Sequence, residues 1–169
     1  MQRCPCGFYG DPKRECRCSP NMITKYRNKI SGPLLDRIDI HVEVPSVKYK
    51  EMAGEATGET SEKIRTRVEE ARAAQRYRFG HPTSPDGLRR MSTNARMTPR
   101  EIKEFCRLDE ECQQLLKMAM TELNLSARAY DRILKVSRTI ADLDHLESIQ
   151  SQHISEAIQY RTLDRQLWV

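Results

Sequence analysis

Hydrophobic positions along the chain follow two different periods. Ile38, Ile40, Val42 and Val44 alternate with Asp39, His41 and Glu43, and Pro45 follows. A period of two predicts a strand with one buried face. No second convincing strand appears, and a lone strand leaves its ladder groups unpaired. The expected partner strands therefore lie outside this chain, which reads as a piece of a larger protein. From Ser61 to Phe79 the period is helical, with Ile64, Val68, Ala71 and Gln75 on one face. Gly80-His81-Pro82 ends that helix, and a loop is expected to run to about Met97.

The last third is wholly helical in pattern. Thr98-Pro99-Arg100-Glu101 reads as a capping box, opening a short helix to about Cys106. Asp109 caps a second helix with a stripe of Cys112, Leu115, Leu116, Ala119, Met120 and Leu123. Ser126 caps a third, with Ala129, Ile133, Val136, Ile140 and Leu143 inward, and a fourth opens near Ser151 and runs through Ile154, Ala157, Ile158 and Tyr160. Near the start, Ser19-Pro20 opens a short basic helix over Asn21–Ile30. The fold class expected is mainly α: a C-terminal helical bundle preceded by a long linker helix, one orphan β-strand and a small cysteine-rich segment. The divisions expected are 1–45, 46–97 and 98–169.

Charge changes this picture at one end only. The formal net charge is +5, and the first thirty residues alone hold seven basic residues against two acids. Lys25, Arg27 and Lys29 on the short helix are either phosphate contacts or an ordinary solvated face. With 31% charged residues and a mean hydropathy of -0.73, the chain has no run apolar enough to span a bilayer and no signal peptide, so a cytoplasmic protein is expected. In a reducing compartment, clustered cysteines suggest metal before disulfide. Cys4 and Cys6 form one C-x-C pair and Cys16 and Cys18 a second, nine residues apart, with Gly7, Gly10 and Pro12 to make the turns. Four thiolates suit a closed, structural tetrahedral Zn2+ site; the alternative is four free or oxidised thiols in a mobile arm. Cys106 and Cys112 read as small buried residues, and His145 and His153 as structural. Arg128 falls in the first turn of the third helix, where free N–H groups and the dipole favour a phosphate, or it is a plain solvated arginine.

Four separated stretches carry a resemblance: CPCG at 4–7 with CRC at 16–18, SGPLLDRIDIHVEVP at 31–45, LSARAYDRILKVSRTIADL at 125–143, and AIQYRTLDRQLWV at 157–169. Together they resemble the C-terminal part of the magnesium-chelatase-like AAA+ ATPases, in the ComM/YifB competence-protein group. The resemblance implies a ring-forming, hexameric ATPase using ATP and Mg2+, and a DNA helicase driving branch migration in recombination and natural transformation. It makes Arg37 the arginine finger, reaching a neighbouring subunit's nucleotide. It makes Arg128 the sensor-2 arginine on the helical lid, in cis or in trans. The phosphate-loop pattern G-x-x-x-x-G-K-[ST] is absent from these residues. The chain by itself is therefore expected neither to bind nor to hydrolyse ATP. Two alternatives stand beside this reading: a chelatase-type motor inserting metal into a tetrapyrrole, and a free-standing zinc-dependent nucleic-acid-binding module.

Overall fold

The computed structural model describes residues 3–11, 13–35, 37–42, 44, 47, 53–54, 58–79 and 93–166, with backbone only at 32, 35 and 162–166. Residues 80–92 of the expected loop, the stop at Pro45 and the tail tryptophan Trp168 lie outside the described residues, while the end of that loop forms a 3-10 turn. The helices are α1 (Pro20–Arg27), α2 (Gly32–Leu35), α3 (Ser61–Phe79), α4 (Pro99–Phe105), α5 (Glu110–Glu122), α6 (Ala127–Leu143) and α7 (Ser151–Gln166), with a 3-10 turn at Asn94–Arg96 before α4. No described helix is long and apolar enough to cross a membrane.

The helix starts follow from local hydrogen bonding. Ser19 Oγ accepts from Met22 N at 3.3 Å, Asp109 Oδ1 from Cys112 N at 2.8 Å, and Ser126 Oγ from Ala129 N at 3.2 Å. At α4 the box is reciprocal: Thr98 Oγ1 accepts from Glu101 N, and Glu101 Oε2 accepts from Thr98 N. Two helices end alike. After α5, Asn124 turns to φ 42° while Leu125 N donates to Met120 O; after α6, His145 turns to φ 57° while Leu146 N donates to Ala141 O. Both are Schellman ends with a non-glycine residue in the left-handed region, which satisfies otherwise orphaned carbonyls.

Helix α6 is the centre of the body. It packs against α7, α3, α4 and the 3-10 turn, and α7 closes on α5. Ile102, Cys106, Cys112, Leu116, Ile133, Leu134, Ile140, Ile149 and Ile154 form the buried cluster, so both C-terminal cysteines are core residues as expected. Phe79, at the end of α3, meets Phe105 edge to face with centroids 5.4 Å apart. Each such buried aliphatic side chain contributes about 1.5–3 kcal/mol of burial free energy. Only the C-terminal half of α3 joins the core. Ala71 and Gln75 are buried, whereas Ile64 and Val68 on the same face are exposed.

The expected strand is a correction. Among the described residues no strand forms, and 38–42 is irregular. Ile40 is 49% exposed and Val44 83%, so the alternating face is uncovered. Alternation specifies a face but supplies no ladder, and none of the described residues pairs with this segment as a strand. Among the described residues, other contacts hold the segment instead. The Asp39 carboxylate pairs with Arg132 on α6, Arg161 on α7 donates to Ile38 O, and His41 N donates to Tyr160 O at 2.9 Å.

Candidate metal centre and the flanking arginines

The first cysteine pair sits in a tight turn. Gly7 N donates to Cys4 O at 3.1 Å, Gly7 itself takes a left-handed φ of 84° that glycine adopts without strain, and Tyr9 N donates to Cys4 Sγ at 3.3 Å. Asp11 Oδ1 then accepts from Lys13 N at 2.7 Å and Arg14 N at 3.1 Å, turning the chain back towards Cys16 and Cys18. The four sulfurs all lie within 4.8 Å of one another, and Cys4–Cys6, Cys4–Cys16 and Cys6–Cys16 are 3.4, 3.7 and 3.6 Å apart. Tetrahedral Zn–S bonds of about 2.3 Å imply sulfur separations of about 3.8 Å, whereas a disulfide needs about 2.0 Å. The donor set thus fits a four-thiolate metal ion and no disulfide is present. A Phe8 backbone N–H, more than any other contact, brings the Cys6 thiol down to about 6. At Cys16 the Cys18 backbone N–H pulls the same way, but burial and the Cys6 and Cys4 thiols outweigh it and push the group up to about 12. The direction of the Cys6 shift favours thiolate, which is the form that ligates.

The basic residues on and after α1 are partly spent on this turn. The Arg27 guanidinium lies 4.9 Å from the Tyr9 ring centroid and donates from Nε to Arg3 O at 3.3 Å. Lys29 lies 5.7 Å from the Tyr26 centroid, and Lys25 is exposed in the last turn of α1. Arg27 is thus first a packing residue of the knuckle.

Arg37 follows α2. It is exposed, and its Nη1 donates to Pro33 O at 3.2 Å. Asp36 lies outside the described residues, and Asp39 is taken by Arg132. Arg128, the second residue of α6, is exposed above the Ser126 cap. Arg132 stands one helical turn below Arg128, and its partner Asp39 stands two residues after Arg37, so both arginine-bearing segments converge on the start of α6.

A second polar cluster escapes a reading of the sequence. Asp142, on α6, accepts from Arg78 of α3 through both oxygens, from Arg138 Nε at 3.1 Å and from Asn94 Nδ2 at 2.7 Å. Arg138 also donates to the carbonyls of Leu146 and Glu147, and Gln75 Oε1 accepts from Asn94 N at 3.3 Å. Burial pulls the Arg138 guanidinium below its ordinary pKa. His153 is buried too; its Nδ1 accepts from Gln150 N at 3.0 Å while Nε2 meets Asp144 Oδ2 at 3.1 Å, a structural role. His145 faces Glu70 at 3.5 Å.

Residues 58–161 match the family model described as magnesium chelatase, subunit ChlI C-terminal, and residues 1–52 match that of magnesium chelatase, subunit ChlI. Over 168 residues the chain is 38% identical to Competence protein ComM of Haemophilus influenzae and 37% identical to protein YifB of Salmonella typhimurium. It is 36% identical to YifB of Escherichia coli. Each alignment covers 99% of this chain and 30% or 31% of the relative, so the chain spans about a third of the length of these relatives. Matched over both its halves, the chain belongs to the magnesium chelatase ChlI family, in the company of ComM and YifB.

Proposed function

We propose that this chain supplies the arginine finger, the sensor-2 arginine and a zinc-stabilised knuckle to a cytoplasmic, ring-forming AAA+ ATPase that remodels DNA. Arg37 is the finger, acting in trans on a nucleotide held by the neighbouring subunit of a hexamer. Arg128 reads the phosphates from the lid formed by α4–α7. ATP and Mg2+ are held by the phosphate-loop part of the ring, and Zn2+ by Cys4, Cys6, Cys16 and Cys18. The observation that carries this reading is the tie of Arg37's segment to Arg132 on α6 and to Tyr160 and Arg161 on α7. It brings two exposed guanidiniums, neither with a carboxylate partner among the described residues, to one end of the helical body. A planar, permanently charged guanidinium suits the charge that spreads over the γ-phosphate oxygens during transfer. With the finger supplied across a subunit boundary, hydrolysis waits for assembly.

The test uses the intact ATPase that contains these residues and a phosphate loop. Arg37→Ala lowers kcat by about 10³-fold or more. Mixing that variant with subunits defective only in their phosphate loop restores part of the activity, because some interfaces then pair an intact loop with an intact finger. An Arg37→Ala enzyme within twofold of wild type, or a mixture with no recovery, defeats the assignment. A second reading keeps the same machinery and makes its work metal insertion into a tetrapyrrole; the magnesium chelatase family match favours it. Basic charge gathered on residues 1–30 favours DNA instead. ATP-dependent movement of a branched DNA junction, against ATP-dependent metallation of a porphyrin, separates the two. Neither activity, with salt-sensitive nucleic-acid binding kept, would leave a motorless zinc module.

A further inference from the structure

Cations and aromatic rings interleave around the four-cysteine turn. Arg14 lies 5.1 Å from the Phe8 centroid, Arg27 4.9 Å from Tyr9 and Lys29 5.7 Å from Tyr26. Tyr9 nonetheless remains 43% exposed, and Phe8 and Tyr26 are half-buried. Lys13, Arg17 and Lys25 add exposed positive charge on the same short stretch. Of its two acids, Asp11 has Oδ1 occupied by the Lys13 and Arg14 amides. A surface made for duplex phosphates needs the cations alone, because duplex bases are stacked on each other and offer no face. Rings set among cations suit a strand whose bases are free to stack, with the guanidiniums adding cation–π attraction.

We infer that the knuckle surface is a binding site for single-stranded DNA. Lys13, Arg17, Lys25 and Lys29 follow the phosphates, and bases stack on Tyr9 and Tyr26. The choice of DNA rests on the DNA-remodelling reading above; the rings and cations do not. The knuckle thereby holds an unpaired strand beside the ring, while the finger and lid act on nucleotide.

Fluorescence anisotropy of the purified 169-residue chain in zinc-containing buffer tests this, with a labelled oligothymidylate and a duplex of equal length at two salt concentrations. The oligothymidylate binds more tightly than the duplex. Tyr9→Leu, which keeps bulk but removes the π face, weakens strand binding about tenfold and leaves the salt slope unchanged. Lys25→Ala has the opposite signature, reducing the log–log salt slope by about 0.7. Tyr9→Phe binds as wild type, and so does Tyr77→Leu, at a 90%-exposed ring on α3 remote in sequence from the knuckle. Cobalt–thiolate absorption reports whether each variant keeps its four-sulfur site; should Tyr9→Leu lose it, Tyr26→Leu takes its place with the same expected loss. Duplex bound as tightly as the strand, no binding of either, or Leu variants with intact sites and unchanged affinity each overturn the inference. Failure here with Arg37 rescue intact removes only this surface. Loss of rescue with strand binding intact removes only the ATPase role.

Discussion

Replacing Asp142 by asparagine tests the cluster that joins the linker helix to the lid. Its side chain is 1% exposed, between Arg138 at 2% and Arg78 at 16%. Asp142→Asn keeps the shape, so no cavity opens. The carboxylate's loss leaves two guanidiniums facing each other with no counter-charge. The new amide also sets a donor against the donors of Arg78 or Asn94. Removing one partner of a buried ion pair costs about 3–5 kcal/mol. For a chain of this length each kcal/mol moves Tm by about 3 °C, so a fall of about 10 °C or more is expected. Circular dichroism melts at neutral pH measure it. Arg78→Met is the companion variant. It leaves the Arg138–Asp142 pair neutral and should lower Tm by less, while amide exchange speeds up in α3 (Ser61–Phe79), which loses its polar hold on α6. An Asp142→Asn protein melting within about 2 °C of wild type would refute the reasoning, since a guanidinium buried without its counter-charge costs several kcal/mol.

Cys16→Ser should reduce zinc from one ion per chain to a substoichiometric amount by native mass spectrometry; a folded wild-type chain with four titratable thiols and no zinc goes against the metal centre. Asp109 is held below its ordinary pKa of 3.8 by the Cys112 amide, so its stabilisation is present above that value and is lost as pH falls through the lower folded one. Asp109→Asn keeps an acceptor for the amide, and its urea midpoint should decline less steeply between neutral pH and strong acid; an identical decline would dismiss the cap as the source. The isolated chain, without the phosphate-loop pattern, should hydrolyse no ATP and show no Tm change with Mg-ATP, and a shift of several degrees would contradict this.

The helix starts were readable because a cap is a local event. Ser19, Thr98, Asp109 and Ser126 each close a bond to an amide three residues on, and spacing alone reveals it. The cysteine cluster was readable for a similar reason, since two close pairs with glycines between them leave few ways to fold. The Asp142 cluster was not readable, because Asn94 and Arg78 are 48 and 64 residues away from it and each looks solvated when taken singly. One clue existed: Arg138 stands four residues after Leu134 and three before Ala141, within the apolar stripe of α6. The attachment of residues 38–41 left still less trace, being made largely by main-chain atoms.

That attachment bears on how the segment can serve two neighbours. Among the described residues Ile38 O, His41 N and the Asp39 carboxylate carry it, while the side chains of Ile38, Ile40 and Val42 stay exposed. They are spared for a second surface, and an apolar neighbour can cover them while the grip on α6 and α7 stays closed. Substitutions among these aliphatic positions should therefore tune one contact without loosening the other.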